Sequence, residues 1–306
     1  MKSGFISIVG RPNVGKSTLL NSILGEKIAI TTNKPQTTRN TIRGIYTRLG
    51  QGGQDDLQMI FIDTPGIHKP KNKLGDFMTE SAIGTFKEVD AVILIVDDKL
   101  SSGPGDKYIL DLLRQISTPK ILVINKIDQL DPDAFLQIYK EYEETGIFSK
   151  IIGTSATEGK NVDDVIEAAA GFMEEGPMYF PEDMVTDHPE RFIVSEIIRE
   201  KLLRLLDKEI PHGTAVAVER MREREDGSGI LDISAVIFCE KQNHKAIIIG
   251  KGGSMLKKIG SYAREDMERF FGVKINLQIW VKVKEDWKNR DAVLHSLGYD
   301  QTGFDA

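Results

Sequence analysis

A glycine-rich segment near the N-terminus constrains the fold of this chain more than any other feature. Residues 10–17 read Gly-Arg-Pro-Asn-Val-Gly-Lys-Ser and fit the pattern G-x-x-x-x-G-K-[ST], between an apolar strand-like run and a helical pattern. The glycines allow successive backbone N–H groups to point at phosphate oxygens, and the N-terminus of the helix adds a partial positive charge. The segment therefore predicts a phosphate-binding loop in an α/β fold, with a mostly parallel sheet and helices on both faces.

Apolar runs and helical patterns alternate as far as residue 175, which is typical of a sheet wrapped by helices. The turn between the second and third strands is too short for a crossover helix, so we expect these strands to form an antiparallel hairpin. The predicted strands are residues 5–9, 42–48, 58–63, 91–96, 121–125 and 151–154, and the predicted helices are residues 16–24, 74–87, 106–116, 132–144 and 162–173.

A change in composition divides the chain near residue 180. The segment 176–189 has one glycine and three prolines among polar residues, so we expect a linker between a first domain, 1–175, and a second domain, 190–306. The second domain is predicted to run helix, strand, strand, helix, helix, strand. Its predicted elements are helix 190–206, strands 215–224 and 230–240, an apolar segment at 245–249, a helix that ends near residue 271, and strand 274–283. The apolar stripe of helix 190–206 is expected to pack on the sheet, the alternative being a membrane surface.

Composition excludes several classes of protein. The single cysteine of the 306 residues, Cys239, cannot form an intrachain disulfide or a zinc cage, so we expect a reducing, intracellular environment and a core position for its thiol. The N-terminus lacks a signal-peptide pattern, and the longest apolar run, 91–96, is far shorter than the roughly 20 residues of a membrane span. The net charge of −6 argues against overall attraction to nucleic acid, although residues 241–264 hold six basic residues and no acidic one.

Three segments supply side-chain or backbone groups that suit the phosphates of a nucleotide and the Mg²⁺ bound to them. We expect Lys16 to reach the β- and γ-phosphates and the Ser17 hydroxyl to bind Mg²⁺, which prefers oxygen ligands. Asp63 ends a strand and can hold Mg²⁺ through water, while the Gly66 N–H can meet the γ-phosphate. One threonine of the loop 31–41 should complete the metal shell; Thr38 is the first choice and Thr37 the second.

The tetrapeptide Asn-Lys-Ile-Asp at 125–128 follows an apolar strand and predicts a guanine-binding loop. The Asp128 carboxylate can accept hydrogen bonds from the N1–H and exocyclic amine of guanine, a donor pair that adenine lacks. Asn125 and Lys126 are expected to brace this loop and cover the ring. The segment 155–157, Ser-Ala-Thr, ends another strand and would complete the base pocket.

A second glycine-rich turn lies within the basic stretch. Residues 250–253 fit G-x-x-G, a turn that clamps the backbone of a single-stranded nucleic acid because absent side chains let phosphates approach. A purely structural turn is the alternative, and the residues do not distinguish RNA from DNA. The predicted nucleic-acid contacts are Gly250, Lys251, Gly252, Gly253, Lys257 and Lys258. Trp280 and Trp287 could stack on bases, although core packing or docking of the tail is the preferred interpretation.

At its four nucleotide motifs the first domain resembles the GTPase family. Position 67, where many GTPases carry a glutamine that orients the attacking water, is Ile67, so the resemblance is to the subgroup with a hydrophobic residue there. In related members the asparagine equivalent to Asn13 helps to bind a potassium ion; the alternative for Asn13 is a simple turn residue. The resemblance implies a Mg²⁺-dependent GTPase that binds GTP and GDP and is stimulated by K⁺, with Lys16, Thr38, Gly66 and Asn13 as catalytic residues and Ser17, Thr38 and Asp63 as metal ligands. The implied nucleotide contacts are Gly10, Arg11, Pro12, Asn13, Val14, Gly15, Lys16, Ser17, Thr18, Asp63, Thr64, Pro65, Gly66, Ile67, Asn125, Lys126, Asp128, Ser155, Ala156 and Thr157.

The element order and G-x-x-G turn of the second domain resemble a type II KH domain. With segments such as 36–39 (Gln-Thr-Thr-Arg), 180–183 (Phe-Pro-Glu-Asp) and 280–284 (Trp-Val-Lys-Val-Lys), the whole chain resembles the bacterial ribosome-assembly GTPases that join a TrmE-Era-EngA-like GTPase domain to a type II KH domain. That resemblance implies a GTP-driven switch that binds 16S ribosomal RNA near its 3′ end and acts in assembly of the 30S subunit. It also implies a cytoplasmic, monomeric protein with peripheral association to the inner face of the cell membrane.

Two other classes of protein also contain a phosphate-binding loop of this pattern. A metabolic kinase would prefer ATP, and residues 125–128 argue against it. The alternative that stays open is a signalling GTPase whose KH-like domain docks a protein or the membrane.

Overall fold

The computed structural model describes residues 1–32, 34, 36–50, 55–67, 70, 72–99, 103–207 and 209–299. Two compact units are present. The first comprises described residues within 1–71 and 75–187, and the second comprises those within 72–74 and 188–299. Parts of two predicted segments, the loop that follows residue 67 and the C-terminal end of the second domain, lie outside the described residues.

The first unit is built on a mostly parallel sheet, as predicted. Its strands are β1 (Lys2–Val9), β2 (Ile42–Arg48), β3 (Leu57–Asp63), β4 (Ala91–Val96), β5 (Lys120–Ile124), β6 (Lys150–Gly153) and β7 (Glu174–Glu175). The order across the sheet is β2-β3-β1-β4-β5-β6, and β7 pairs with β1. The predicted antiparallel hairpin of β2 and β3 is confirmed. The short antiparallel strand β7 was not predicted, because two glutamates carry no strand periodicity.

Within the described part of the unit, five helices pack against this sheet: α1 (Lys16–Leu24), α2 (Lys73–Gly84), α3 (Pro104–Leu113), α4 (Pro132–Glu143) and α5 (Val162–Ala170). Capping explains where α4 begins, since the Asp131 carboxylate accepts a hydrogen bond from the Ala134 N–H and Pro132 occupies the first turn. Three predicted helix ends were too late. Helix α2 passes into a separate 3-10 turn at Thr85–Lys87, and α3 and α5 end three residues before the predicted limits.

The segment predicted as a linker contacts the edge of the first sheet as far as residue 187. Gln58 of β3 is buried, and its side-chain amide bonds the backbone of Tyr179 and Phe180 at 2.7–3.0 Å. The Ile45 N–H donates to the Val185 carbonyl at 2.9 Å. This stretch of chain therefore belongs to the first unit, and its bonds explain why it is ordered without regular secondary structure.

The second unit has the predicted element order. Its elements are α6 (Glu190–Leu205), β8 (Thr214–Glu223), β9 (Ile230–Cys239), α7 (Gln242–Ile249), α8 (Ser254–Phe271), β10 (Lys274–Val283) and a short α9 (Asp291–Ser296) that the sequence did not predict. The sheet order is β10-β9-β8, with β10 parallel and β8 antiparallel to β9. The apolar core lies between this sheet and helices α6, α7 and α8. The elements form the predicted KH arrangement.

Burial in the second unit differs from the prediction at two places. Helix α6 contributes Ile193, Ile197 and Leu202 to the core as expected. It is not a helix with one apolar stripe, because four of its charged residues are buried too: Glu196, Arg199, Glu200 and Lys201. Ion pairs compensate these charges, for example between Arg199 and Glu196 at 2.5 Å. Trp280 is 47% exposed, so its predicted core position is wrong.

Trp287 and Cys239 have the predicted core positions. The Trp287 side chain is fully buried and donates a hydrogen bond to the Gly213 carbonyl at 3.0 Å. The Cys239 side chain is fully buried on β9, and burial raises the pKa of its thiol. Among the described residues, no helix combines the length and apolar character needed to cross a membrane.

Candidate functional site

The phosphate-binding loop leaves the carboxyl end of β1 and turns into α1. Gly10 and Gly15 have positive φ angles of 152° and 105°, and Asn13 has a φ of 68°. A Cβ atom at Gly15 would lie 2.2 Å from the side-chain nitrogen of Asn125, and one at Gly10 would lie 2.4 Å from the Ile95 carbonyl oxygen. Glycine is therefore required at both positions, because a side chain would strain the positive-φ backbone and collide with neighbouring residues.

Lys16 lies inside this loop. Its ammonium group donates to the carbonyl oxygens of Gly10 at 3.2 Å and Arg11 at 2.9 Å. The side chain is buried, and burial lowers the pKa of Lys16 to about 8 although Asp63 opposes the shift. A buried cation held by neutral carbonyl groups is well placed to attract phosphate oxygens.

Three buried oxygen-bearing side chains meet beside the loop. The Ser17 hydroxyl donates to the Asp63 Oδ2 atom at 2.6 Å, and the Thr38 hydroxyl lies 2.8 Å from Ser17 and 3.5 Å from Asp63. Burial raises the pKa of Asp63 to about 6, with Lys16 opposing the shift. The other carboxylate oxygen, Oδ1, is buried and has no hydrogen-bond partner among the described residues.

An all-oxygen cluster with a free buried carboxylate oxygen fits a hard divalent cation such as Mg²⁺. Thr37, the second choice for the metal shell, does not join this cluster. Its hydroxyl donates to the Lys34 carbonyl at 2.6 Å and lies 2.7 Å from the Thr32 hydroxyl. The structure thus places Thr38 beside Ser17 and Asp63 and directs Thr37 into its own loop.

The segment after Asp63 passes close to the phosphate-binding loop. The Thr64 hydroxyl donates to the Ile8 carbonyl at 2.8 Å, which fixes the direction in which the chain leaves β3. A Cβ atom at Gly66 would lie 2.7 Å from three atoms of Pro12, so only glycine allows this approach. Ile67 is buried in the core, with its N–H bonded to the Gly10 carbonyl at 3.2 Å. Its side chain therefore makes no contribution to orienting water.

The predicted guanine-binding residues come from the ends of β5 and β6. Asn125 is buried; it donates to the Val14 carbonyl at 2.9 Å and accepts from the Ala156 N–H at 3.0 Å. It thereby ties the phosphate-binding loop to the segment 155–157. Asp128 is exposed, and the Ser155 hydroxyl beside it holds the pKa of Asp128 below its usual value. A charged acceptor at the mouth of the pocket suits recognition of two guanine N–H groups.

A further carboxylate, absent from the predicted site residues, joins the two loops. Asp97 follows β4 directly and accepts from Arg11 Nη2 at 3.2 Å and from Lys126 Nζ at 2.6 Å. Lys126 also donates to the Asn13 carbonyl at 2.8 Å, while Arg11 forms a second ion pair with the buried Asp106 at 2.8 Å. The sequence position of Asp97 could have indicated this role, because Asp97 directly follows a buried strand and ligands of α/β sheets bind at the carboxyl ends of strands.

In the second unit, the G-x-x-G turn connects α7 to α8. Gly250, Gly252 and Gly253 all have positive φ angles, of 73°, 59° and 81°. A Cβ atom at Gly250 would lie 2.8 Å from the Met255 backbone nitrogen, whereas one at Gly252 would meet nothing within 4 Å. Lys251, Lys257 and Lys258 are exposed around the turn. The turn is thus open to a ligand, and positive charge surrounds it.

Comparison with known proteins matches both domains to known families. Residues 5–126 match the family described as 50S ribosome-binding GTPase, and residues 209–288 match the KH domain family. Two similar proteins are "GTPase Era" of Alkaliphilus oremlandii, 58% identical over 98% of this chain and 99% of its own length, and "GTPase Era" of Clostridioides difficile, 55% identical over the same shares.

Two solved structures resemble the chain over nearly its full length. One is a variant of Aquifex aeolicus Era bound to GDP and AlF4⁻, with 36% sequence identity and a TM-score of 0.90. The other is Era in complex with MgGDPNP and nucleotides 1506–1542 of 16S ribosomal RNA, with 37% identity and a TM-score of 0.90. In both comparisons the alignment covers 98% of this chain and 99% of the other.

Proposed function

Since the chain belongs to the Era family of GTPases, we propose that it is a GTP-driven switch that binds 16S ribosomal RNA near its 3′ end and acts in maturation of the 30S ribosomal subunit. In this proposal residues 1–175 bind and hydrolyse GTP, residues 176–189 link the domains, and residues 190–306 bind RNA. The observation that carries it is the presence, in one chain, of a phosphate-binding loop bonded to the loop 125–128 and of an open G-x-x-G turn with positive φ angles.

In this proposal the predicted nucleotide contacts of the first unit divide into phosphate-binding and guanine-binding residues. Residues 10–18 would wrap the phosphates with backbone N–H groups, and Lys16 would exchange its carbonyl partners for the β- and γ-phosphates. Asp128 would accept the two guanine N–H groups, while the bonded frame of Asn125 and Ala156 holds the pocket in shape. ATP would leave the Asp128 carboxylate without its donor pair, so we expect a strong preference for guanine.

Ser17, Thr38 and Asp63 would hold the magnesium ion, since they present the oxygen cluster described above. A bound Mg²⁺ supplies charge stabilisation at the phosphates during transfer. Because Thr38 lies in the loop before β2 and beside Ser17 and Asp63, its position would depend on whether Mg²⁺ occupies the cluster. We propose that the loop 31–41 is ordered in the GTP state, when Thr38 binds the metal ion, and is released after hydrolysis.

Catalysis in this site would depend on positioning and charge. Ile67 is buried and cannot orient the attacking water. Lys16 and the Gly66 N–H would stabilise charge that develops on the transferred phosphoryl group. Asn13, at the surface of the loop with a φ of 68°, would help to hold K⁺ beside the phosphates. Hydrolysis should therefore be faster in KCl than in NaCl of equal ionic strength; equal rates would remove K⁺ from the mechanism.

The turn 250–253 would clamp a single-stranded RNA backbone, with Lys251, Lys257 and Lys258 neutralising phosphates. Family membership further supports a monomeric, cytoplasmic protein that associates peripherally with the inner face of the membrane. Light scattering of the purified chain and sedimentation with anionic vesicles test these two points. A stable dimer, or no vesicle binding at low salt, would contradict them.

Crosslinking of the full chain to RNA in cells tests the proposed RNA target. Crosslinks should cluster at the 3′ end of 16S ribosomal RNA and pass through the turn 250–253. The Gly252→Asp variant should lose the crosslinks at the turn, because it places a carboxylate against phosphate at a position with free space. Gly227→Asp is the matched control, since Gly227 is also exposed, has a φ of 73° and has nothing within 4 Å of its Cβ position. Diffuse crosslinks, or crosslinks unchanged by Gly252→Asp, would favour a domain that docks a protein or a membrane.

A further inference from the structure

The helices of the second unit pack on one face of its sheet, and the opposite face carries exposed side chains. Alternate residues of the three strands, such as Val218, Ile237 and Val281, pack into the core with α6, α7 and α8. Because successive side chains of a strand point to opposite faces, the intervening residues lie on the other side of the sheet. In β8 a β-bulge between Val218 and Arg220 shifts this alternation, so that Arg220 and Arg222 lie beside Ser234 and Asp232 on that other side. The outer patch, as we call part of that side, comprises Arg220, Arg222, Ser234, Asn276, Gln278 and Trp280.

Strand pairing arranges the outer patch in rows across the sheet. The rows are Arg220, Ser234 and Gln278, then Arg222, Asp232 and Asn276, with Trp280 beside Val236 in the row that follows Gln278. Neighbouring strands are about 4.8 Å apart, and residues on one face recur about every 6.6 Å along a strand. The Cα atoms of Gln278 and Asn276 on β10 therefore lie roughly 10 Å from those of Arg220 and Arg222 on β8, and Trp280 lies one row further along.

The patch is exposed and positively charged. Trp280 is 47% exposed, and Arg220 and Arg222 are exposed and form no ion pair with any residue that the structure describes. Asp232, the acidic residue in the rows, is already neutralised. Arg224 forms two parallel bonds to its carboxylate, each of 2.9 Å. With a third bond from Asn276, they hold the pKa of Asp232 at about 2.

This combination fits single-stranded RNA. An exposed aromatic ring stacks on a base, amide and hydroxyl groups bond base edges, and arginines contact phosphates. An anionic lipid surface would use the positive charge but not the two amides of β10. We infer that the outer patch is a second RNA-contact surface, separate from the turn 250–253, on which Trp280 stacks on a base while Arg220 and Arg222 neutralise two phosphates. The inference rests on the proposed RNA-binding function.

The arginines are tested by the salt dependence of RNA affinity. The full chain is titrated with a labelled single-stranded RNA of about 20 nucleotides, enough for the turn, which clamps about four, and for the patch. The double variant Arg220→Gln/Arg222→Gln should bind about tenfold more weakly. Its slope of log K against log salt should be smaller by about 1.4, because each phosphate contact contributes about 0.7 for single strands. The control Arg191→Gln/Arg290→Gln, which removes the same charge elsewhere in the unit, should bind within twofold of the parent; the same result for the patch variant would overturn the inference.

Stacking is tested at Trp280 by fluorescence and by substitution. RNA should quench the emission of Trp280, and the quenching should vanish in Trp280→Phe because Trp287 is fully buried. Trp280→Ala should lose about tenfold in affinity, or about 1.4 kcal/mol, which is within the range of one stacked base. Trp280→Phe should keep most of the affinity. Absence of RNA-dependent quenching would refute the stacking role.

The two RNA surfaces can be separated with Gly252→Asp. This variant should keep weak RNA binding that disappears when Arg220→Gln/Arg222→Gln is added. If Gly252→Asp weakens binding but the patch variants do not, only the outer patch is refuted; if neither changes binding, the proposed RNA-binding function fails. Anionic vesicle binding that is lost in the patch variants, with RNA affinity unchanged, would assign the surface to lipid and overturn the inference.

Discussion

Replacement of Asp97 by asparagine should loosen nucleotide binding without altering the chemistry. The Asp97 carboxylate connects the phosphate-binding loop to the guanine-binding loop through Arg11 at 3.2 Å and Lys126 at 2.6 Å. Asparagine keeps the shape and one acceptor oxygen but loses the negative charge. Both loops would remain folded, yet their relative position would no longer be held by charge-assisted bonds.

The size of this effect follows from the two bonds. A hydrogen bond to a charged group contributes about 1.5–3 kcal/mol, compared with about 1 kcal/mol for a neutral pair. Converting both bonds would therefore cost about 1–4 kcal/mol, and solvent screening reduces this because the Asp97 side chain is 22% exposed and Lys126 is 34% exposed. We expect a loss of about 1–2 kcal/mol, equivalent to a roughly 5- to 30-fold weaker affinity for GDP.

Stopped-flow dissociation of a fluorescent GDP analogue measures the change directly. The dissociation rate of Asp97→Asn should rise by roughly 5- to 30-fold, since most affinity changes at one site appear in the dissociation rate. Single-turnover hydrolysis at saturating GTP should change less than twofold. Asp98→Asn is the matched control, because the neighbouring Asp98 is exposed and bonds only the backbone N–H of Lys99, at 2.7 Å, among the contacts described.

Two results would refute this reasoning. Dissociation rates of Asp97→Asn and Asp98→Asn that agree within twofold would show that the bridge contributes nothing to nucleotide retention. A loss confined to the hydrolysis step, with unchanged dissociation, would show that Asp97 acts on catalysis and not on the position of the loops.

Three further substitutions test the site and the segment beside it. Gly15→Ala should abolish GDP binding in calorimetry, because its Cβ would collide with the guanine-binding loop. The control is Gly25→Ala, since Gly25 also has a positive φ, 69°, but has free space at its Cβ position. This control should bind GDP normally and lose about 1–2 kcal/mol of the free energy of unfolding. Thr38→Ala should raise the Mg²⁺ concentration for half-maximal hydrolysis about tenfold, while Thr37→Ala should shift it less than twofold; equal shifts would contradict the assignment of Thr38. Gln58→Ala should lower the free energy of unfolding in urea by about 2–3 kcal/mol, because its side chain loses four partly buried hydrogen bonds, three of them to the backbone of residues 179–180. Hydrogen exchange should accelerate at residues 179–180; unchanged exchange would contradict this anchoring role.

The segment 176–187 shows why part of the fold was not predictable from local patterns. Its prolines and glycine correctly predict a break in regular structure, and the sequence predicts a linker between the domains. The bonds from Gln58 to Tyr179 and Phe180 join residues more than 120 positions apart in the chain. Amino-acid composition reflects local stiffness and polarity, so it gives no information about a hydrogen-bond partner so far away in the chain.

Helix α6 and Trp280 show the same limit for burial. Periodicity predicted one buried stripe on α6, but elements that pack on its other sides also bury Glu196 and Glu200. For Trp280, hydrophobic character favoured the core, whereas its position in the alternation of β10 decides which face it occupies. Which face of a strand is covered depends on where the helices return, and that is a property of the whole unit.

The sequence by itself determined the order of the elements, both glycine-rich turns and the residue types of the nucleotide site, because short motifs and periodicity fix backbone conformation within a few residues. Only the tertiary structure decided that Thr38 and not Thr37 meets Ser17 and Asp63, and that Asp97 bridges two loops. The parallel sheet brings the carboxyl ends of β1, β3, β4 and β5 to one edge. Residues far apart in the chain become neighbours there, and the direction of each side chain is fixed by packing that no local pattern contains.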